Sequence, residues 1–128
     1  MTDGTQRPRC PLLCHTTETV TLGDDLTVSA IGFGAMALTP VYGEVDDAES
    51  LATLNRALDL GVTFLDTADV YVGGANERLI AELLATRRDE VTLATKFGIA
   101  GNPTDPDAGA PTFRGDAAYV RQSVDASL

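Results

Sequence analysis

Three ionisable side chains in the sequence could together move a proton: the carboxylate of Asp66, the phenol of Tyr71 and the ammonium of Lys96. Asp66 ends a short apolar run, Tyr71 follows five positions later on a turn, and Lys96 ends a second apolar run. A lysine beside an aspartate stays charged, because the opposite charge offsets desolvation. That ammonium would favour the phenolate, so the tyrosine becomes a usable general acid near neutral pH. We therefore predict a proton relay of these three residues.

Each of the three residues also has a purely structural interpretation. Asp66 alone could cap a turn through its side chain, Tyr71 could be a half-buried loop aromatic, and Lys96 could be a solvated strand end. The functional interpretation depends on their joint placement at and just after the ends of successive strands. Spacing alone does not specify a reaction.

The elements that must position these residues alternate between strands and helices. A hairpin is predicted over residues 20–28, with its turn at Gly23-Asp24-Asp25. Strands are predicted at 31–36, 62–65 and 91–95, and helices at 46–60, 76–88 and from 116 onward, with Asn76 and Asp116 as caps of the second and third helices. This order predicts an α/β fold with parallel strands and crossover helices.

Two parallel architectures fit that order, a doubly wound open sheet and a (β/α) barrel. The glycine fingerprint of the open sheet does not follow the strand at 31–35. The hairpin could close the bottom of a barrel. Asp66 and Lys96 also lie at the carboxyl ends of strands, where barrel enzymes keep their chemistry.

Two segments fall outside the alternation. Residues 98–115 carry three prolines and are predicted to form a long irregular loop, either a functional flap or simply mobile. Residues 1–17 are predicted to be a flexible tail, and 18–128 the structured domain. The tail holds the only cysteines and the only histidine, Cys10, Cys14 and His15. Two thiols and one imidazole are too few for a closed zinc site, so no metal is predicted.

Composition bounds the class of protein and its partners. A chain of 128 residues with 44% hydrophobic residues can bury one core and contains no apolar run long enough to cross a membrane. Its 9 basic and 19 acidic residues give a net charge of -10, which argues against nucleic acid and anionic membranes as partners. With no export signal and no disulfide framework, a cytoplasmic location is predicted.

Several segments resemble the aldo-keto reductases. They are the hairpin, Phe33-Gly34-Ala35-Met36, Gly61-Val62-Thr63-Phe64-Leu65-Asp66-Thr67-Ala68-Asp69-Val70-Tyr71, Asn76-Glu77-x-Leu79-Ile80 and Thr95-Lys96-Phe97-Gly98. The resemblance runs from about Val20 to Leu128, and its Asp-Thr-Ala-x-x-Tyr segment is highly specific. It implies a (β/α)8 TIM barrel with an N-terminal capping hairpin. It also implies a nicotinamide cofactor without a Rossmann domain: NADPH (NADP), with NADH left open as the alternative.

The resemblance also implies a role for each candidate residue. Tyr71 would protonate the carbonyl oxygen of the substrate as hydride reaches the carbon. Lys96 would favour the phenolate of Tyr71, and Asp66 would hold Lys96 by an ion pair. Cofactor contacts are implied for Gly34, Ala35, Met36 and Asp66. The implied reaction is the NAD(P)H-dependent reduction of small aldehydes or ketones to alcohols.

Part of the family's machinery has no counterpart between Met1 and Leu128. The fourth catalytic residue of the family is a histidine at the end of the next strand, and His15 in the tail cannot replace it. Most contacts to the pyrophosphate and adenosine of the cofactor come from later strands. The resemblance therefore implies an N-terminal fragment of about three βα units, with the C-terminal half missing, that is inactive as this chain alone.

Two other functions stay open. Ion-channel β-subunits resemble the same family and share a similar Thr-Ala-x-Val-Tyr segment, so a regulatory or binding protein on this scaffold is one alternative. A non-functional remnant is the other. The sequence does not specify which carbonyl compound is reduced, the preference for NADPH over NADH, or the oligomeric state.

Overall fold

The structure is a computed structural model that describes residues 17–101 and 110–128. Strands and helices alternate in these residues as the sequence predicts. The strands are β1 (Thr19–Leu22), β2 (Leu26–Ser29), β3 (Gly32–Gly34), β4 (Phe64–Asp66), β5 (Thr92–Ala94), β6 (Ile99–Ala100) and β7 (Thr112–Phe113). The helices are α1 (Asp47–Asp59), α2 (Ala75–Arg87) and α3 (Ala117–Ser127), with short 3-10 helices at Ala35–Leu38 and Arg88–Glu90.

The parallel sheet has β4 in the middle, β3 on one side and β5 on the other. Leu65, at the centre of β4, pairs with Phe33 and Leu93 and is fully buried. Its neighbours Phe64 and Asp66 point to the opposite face, because successive residues of a strand alternate. Within the described residues β3 and β5 each pair on one side only. The structure therefore shows an α/β arrangement with an open three-stranded sheet and not a closed barrel.

The hydrophobic core lies between this sheet and the helices α1 and α2. Its buried members are Ala35, Leu54, Leu58, Leu65, Ile80, Leu83 and Val91. In α1 the spacing of Leu54 and Leu58 places both on one face. The helix begins after Asp46, whose side chain accepts a hydrogen bond of 2.8 Å from the backbone N–H of Glu49. Burying each of these leucines stabilises the fold by roughly 1.5–3 kcal/mol relative to an exposed leucine.

The predicted hairpin is present as the antiparallel pair of β1 and β2. Its last residue, Ser29, is buried and joins the hairpin to the sheet. Ser29 Oγ accepts hydrogen bonds from the backbone N–H groups of Thr63 at 3.0 Å and Phe64 at 3.1 Å. These contacts lie where β4 begins, so the hairpin covers the amino end of the sheet and leaves its carboxyl end open.

The prediction that Asn76 caps the second helix is wrong. The N-cap of α2 is Gly74, which has a positive φ of 80° and makes no side-chain capping bond. Two successive glycines supply the turn before α2, so the helix begins one residue before Asn76. Asn76 is instead a buried residue of the first turn of α2.

Two other segments differ from the prediction. The strand expected over 31–36 ends at Gly34, and the chain continues as a short 3-10 helix. The stretch expected to be irregular, 98–115, contains the antiparallel pair of β6 and β7, although residues 102–109 lie outside the described part. The cap predicted for the third helix is confirmed, since the side chain of Asp116 accepts a hydrogen bond from the N–H of Tyr119.

Most of the predicted N-terminal tail lies outside the described residues, which begin at Thr17. Cys10, Cys14 and His15 are among the residues not described. The division into a tail at 1–17 and a domain at 18–128 stays a prediction, as does the absence of a metal. In residues 17–101 and 110–128 no helix is both long and apolar enough to cross a membrane.

Candidate active site

Strand register brings the candidate residues to one edge of the sheet. Asp66, the last residue of β4, pairs with Ala94, the last residue of β5. Backbone hydrogen bonds continue past both strand ends, from Thr67 N to Ala94 O at 2.9 Å and from Asp69 N to Lys96 O at 3.0 Å. The chain after β5 therefore stays beside the chain after β4, and Lys96 lies next to Asp66.

Lys96 makes two short polar contacts at this edge. Its Nζ donates to Asp66 Oδ1 at 2.6 Å and to the carbonyl oxygen of Thr67 at 2.6 Å. The side chains of Lys96 and Asp66 are 48% and 47% exposed. An ion pair this exposed contributes only about 0–1 kcal/mol to stability. Its consequence is positional, because it holds one ammonium group at the open end of the sheet.

The ring of Tyr71 also lies close to that ammonium group. The centroid of its ring is 5.2 Å from Lys96 Nζ, which is within the range of a cation–π contact. The backbone N–H of Tyr71 donates to Ala68 O at 3.1 Å, so the residue belongs to a tight turn after β4. The predicted relay requires Asp66, Tyr71 and Lys96 to lie together. The structure places Lys96 Nζ against Asp66 and over the ring of Tyr71, but among the described residues no hydrogen bond joins Nζ to the Tyr71 hydroxyl. Their catalytic roles stay a prediction.

The turn after Tyr71 has a left-handed backbone over three residues. Val72 has a φ of 52°, and Gly73 and Gly74 follow with φ of 58° and 80°. Glycine adopts this region at no steric cost, whereas a β-branched residue in it is a genuine outlier. Such backbone strain tends to occur at functional sites, so the outlier at Val72 marks the turn that carries Tyr71.

A cavity of about 80 Å³ adjoins the candidate residues. Tyr71 and Lys96 line it together with Ala68, Phe97 and Ile99. A larger cavity of about 430 Å³ lies along α1, between Phe33 and Leu60, and contains none of the candidate catalytic residues. The smaller cavity borders Tyr71 and Lys96, but its volume is below that of the usual ligand pocket, about 300–1,000 Å³.

The predicted cofactor segment lies on the other side of Asp66. Gly34, the last residue of β3, pairs with Asp66 in the parallel register. A Cβ atom built on Gly34 would meet nothing within 4 Å, so the space above this strand end is open. Ala35 is fully buried in the core, so its side chain cannot touch a ligand, while Met36 is half-buried. The open space beside Gly34 and Asp66 fits a group that lies flat against the backbone.

Sequence reasoning missed a buried polar pair behind the site. Thr67 Oγ1 donates to Asn76 Oδ1 at 2.6 Å, and both residues are almost fully buried. A signal for this pair was present in the sequence. Asn76 shares one helix face with Ile80 and Leu83, and a polar residue on an apolar face needs a buried partner.

Asp69, in the turn that carries Tyr71, has a carboxyl group in an unfavourable electrostatic environment. Its Oδ1 is buried and has no hydrogen-bond partner among the described residues. Burial raises the pKa of the Asp69 carboxyl, and the negative charge of Glu77 also raises it. Hydrogen bonds with the backbone of Val70 and with the side chains of Ser123 and Tyr119 oppose this rise in part. Among all the described residues there is no cluster of three or more His, Cys, Asp or Glu side chains that could bind a metal ion.

Comparisons with known proteins point to one family. The family model described as "Aldo/keto reductase family" matches residues 30–128. The aldo-keto reductase yakc of Schizosaccharomyces pombe, whose name carries NADP(+), is 41% identical over 109 residues, which are 84% of this chain and 31% of that protein.

Solved structures give the same result. The aldo-keto reductase AKR11C1 from Bacillus halodurans, in its holo form, matches with a TM-score of 0.72 and 33% identity over 88% of this chain and 35% of its own. An aldo-keto reductase from Klebsiella pneumoniae in complex with NADPH matches with a TM-score of 0.61 and 26% identity, over 88% of this chain and 34% of its own. The chain therefore spans about a third of the length of the proteins it matches.

Proposed function

Because the chain belongs to the aldo/keto reductase family, we propose that it carries the catalytic strand ends of an NADPH-dependent oxidoreductase that reduces small aldehydes or ketones to alcohols. One observation carries the proposal: Lys96 Nζ contacts Asp66 Oδ1 at 2.6 Å and faces the ring of Tyr71 at 5.2 Å. An acid, a cation and a phenol are thereby held at the carboxyl end of parallel strands, where barrel enzymes keep their chemistry.

Each residue of the relay has one task. Tyr71 donates its phenolic proton to the carbonyl oxygen of the substrate while the carbonyl carbon accepts hydride. Lys96 stabilises the phenolate that this transfer leaves, since a nearby positive charge favours the anion. Asp66 holds Lys96 in place through the ion pair. Solvent then returns a proton to the phenolate, so the cycle balances.

The cofactor belongs to the same proposal. Gly34 and the backbone of the following turn, together with Met36 and Asp66, would hold its nicotinamide end, and bound NADPH would supply the hydride. The open space above Gly34 supports this placement. The name of the relative from Schizosaccharomyces pombe, which carries NADP(+), and the NADPH complex of the protein from Klebsiella pneumoniae support it as well. A cytoplasmic location is part of the same proposal.

We infer a (β/α)8 barrel as the architecture in which these residues work. The two outer strands of the described sheet, β3 and β5, each lack a partner on one side within residues 17–101 and 110–128. Further parallel strands would satisfy those unpaired backbone groups. We also expect the 128 residues alone to be inactive, since most cofactor contacts and the family's histidine have no counterpart in them.

The test uses a chimera in which this chain replaces its matching segment in the relative from Schizosaccharomyces pombe. Tyr71→Phe in the chimera should lower turnover of 4-nitrobenzaldehyde at least about a hundredfold, because the general acid is lost. The dissociation constant for NADPH should stay within about twofold, because the hydroxyl acts only in proton transfer. The NADPH dissociation constant is the internal control, since a general loss of structure would change both values.

Two outcomes would oppose the proposal. Turnover that survives Tyr71→Phe would place the proton donor elsewhere. A chimera that binds NADPH tightly but shows no turnover, with Tyr71 intact, would favour the regulatory alternative. NADPH binding is measured by fluorescence and turnover by the loss of absorbance of the reduced nicotinamide.

A further inference from the structure

Asn76 lies at the junction between the candidate cofactor segment and the candidate proton relay. Its Oδ1 accepts a hydrogen bond of 2.6 Å from Thr67 Oγ1, and its Nδ2 donates to Ala35 O at 3.0 Å. Its backbone N–H donates to Tyr71 O at 3.4 Å. One residue of α2 therefore contacts both the turn after β3 and the turn after β4.

The junction is dry, which makes each of its hydrogen bonds matter. Asn76 is 3% exposed, and Thr67 and Ala35 are fully buried. A buried polar group that loses its partner bears the full desolvation penalty. An asparagine amide is short and neutral and can accept and donate at once, whereas leucine does neither and an ionised aspartate cannot donate. Asparagine is thus the residue that satisfies both Thr67 and Ala35.

Thr67 links Asn76 to Lys96 through hydrogen bonds to both residues. The carbonyl oxygen of Thr67 accepts the hydrogen bond of 2.6 Å from Lys96 Nζ. Because Asn76 holds the hydroxyl of the same residue, the peptide group of Thr67 is fixed from two sides. The next residue of α2 adds a third contact, since Glu77 Oε1 accepts a hydrogen bond of 2.6 Å from Thr95 Oγ1, beside Lys96.

We propose that Asn76 is a positioning residue that holds the cofactor segment, residues 34–36, in register with Tyr71 and Lys96. The inference rests on the proposed function, because it assigns a task to a residue behind that site. The two side-chain hydrogen bonds of Asn76 have different tasks, one in cofactor binding and one in proton transfer. The bond to Ala35 sets where the cofactor lies, and the bond from Thr67 sets where the ammonium group lies.

The first experiment removes only the hydrogen bond from Asn76 to Ala35, which lies on the cofactor side. In the chimera, Asn76→Asp keeps an acceptor for Thr67 but loses the donor to Ala35. The dissociation constant for NADPH should rise about tenfold, while kcat at saturating NADPH should stay within about threefold. The matched control is Asn55→Asp on α1. There the same change keeps the acceptor for Arg87 and removes a donor to Leu51, away from the site.

The second experiment removes only the hydrogen bond from Thr67 to Asn76, which lies on the Lys96 side. Thr67→Val has nearly the same shape but no hydroxyl, so the bond to Asn76 is lost while the bond from Asn76 to Ala35 stays. We expect kcat to fall about tenfold with the NADPH dissociation constant within about twofold. Thr67→Ser restores the hydroxyl and should restore kcat to within about twofold of the unsubstituted chimera. If Asn76→Asp fails to fold, the comparison of Thr67→Val with Thr67→Ser still tests the proposal.

The outcomes separate this inference from the proposed function. A crossed pattern, with binding affected at Asn76 and turnover affected at Thr67, supports the positioning role. Binding and turnover that fall together in both variants, or values like those of Asn55→Asp, would overturn it while leaving the reductase proposal intact. If the unsubstituted chimera lacks turnover, or keeps it after Tyr71→Phe, the proposed function fails and this inference fails with it.

Discussion

Lys96 Nζ lies 2.6 Å from Asp66 Oδ1, although the two residues belong to different strand ends. Strand register pairs Asp66 with Ala94, so Lys96 stands two residues further along its chain. Lys96 lies beyond the end of β5, but its backbone stays beside the chain that follows β4, because the N–H of Asp69 donates to Lys96 O at 3.0 Å. The contact therefore follows from the parallel register and its continuation past both strand ends.

The first prediction concerns the charge of Lys96. Lys96→Met should lower the rate of hydride transfer to 4-nitrobenzaldehyde in the chimera at least about a hundredfold, because the phenolate of Tyr71 loses its stabilising cation. Lys96→Arg keeps the charge but not the compact ammonium geometry, so it should recover only part of that rate. Single-turnover kinetics at saturating NADPH measure the step directly.

The control for this prediction removes a positive charge elsewhere. Arg121→Met lies on α3 at an exposed position and changes the net charge by the same amount. It should leave the rate within about twofold. If Lys96→Met and Arg121→Met behave alike, Lys96 acts only through the overall charge of the protein and the relay is wrong.

The sequence predicts the parts of this site that depend on strand order and residue alternation. The apolar runs ending at Asp66 and at Lys96 are local patterns, and parallel strands bring their carboxyl ends to one edge. The hairpin and the helix cap at Asp116 are equally local, since each uses partners that are near in the sequence. Such features need no knowledge of the tertiary fold.

The junction at Asn76 could not be predicted in the same way. Its amide donates to Ala35, which is 41 residues away in the chain. From sequence alone, an asparagine before an apolar helical pattern indicates an N-cap, and the glycine pair that begins the helix earlier competes with that interpretation. Helical periodicity indicates that Asn76 needs a buried partner, but which distant segment supplies that partner depends on packing.

The second prediction tests the open space above Gly34. Gly34→Val should raise the NADPH dissociation constant at least about tenfold, because the added side chain fills the space assigned to the cofactor. Stability should change little, since Gly34 has φ of -81° and ψ of 105°, which any residue adopts, and an added Cβ meets nothing within 4 Å. Equilibrium titration with NADPH and urea unfolding measure the two effects.

Gly32 provides the matched control on the same strand. A Cβ on Gly32 would lie 3.2 Å from Phe64 Cδ1 and 3.4 Å from its carbonyl oxygen. Gly32→Ala should therefore lower stability by about 1 kcal/mol and leave NADPH affinity nearly unchanged. Unchanged affinity in Gly34→Val would show that the cofactor does not lie against this strand end.

The third prediction concerns the pH dependence that Asp69 contributes. Burial raises the pKa of the folded carboxyl above its ordinary value of 3.8, so the folded state holds its proton more tightly than the unfolded state. The fold thus loses stability as the pH rises from the ordinary value through the raised one. Asp69→Asn lacks this loss and should be more stable than the unsubstituted chimera at pH 7, by less than about 1 kcal/mol because water screens the carboxylate.

The difference in stability between Asp69→Asn and the unsubstituted chimera should disappear below the ordinary pKa of the carboxyl, where both side chains are neutral. Urea unfolding at pH 7 and near pH 3.5 measures it. An Asp69→Asn variant that is less stable at neutral pH would mean that the hydrogen bonds of the carboxylate with Val70, Ser123 and Tyr119 outweigh its desolvation.

The last prediction concerns the strained turn that carries Tyr71. Val72 has a φ of 52°, and a β-branched residue in this region is strained by roughly 1–2 kcal/mol. Val72→Gly removes the strain, but glycine gains freedom in the unfolded chain worth about 0.5–1 kcal/mol. The net result should be a gain in stability of about 0.5–1 kcal/mol.

The two valines that flank Tyr71 separate backbone strain from side-chain packing. Val70 is 7% exposed, so Val70→Gly should cost about 1.5–3 kcal/mol through lost burial. Val72→Gly should also lower kcat several-fold, because a freer turn holds the phenol less firmly, with NADPH affinity unchanged. Urea unfolding and steady-state kinetics of both chimera variants measure this. If Val72→Gly destabilises the protein as much as Val70→Gly does, the side chain of Val72 contributes packing that outweighs its strain, and the turn is not under tension.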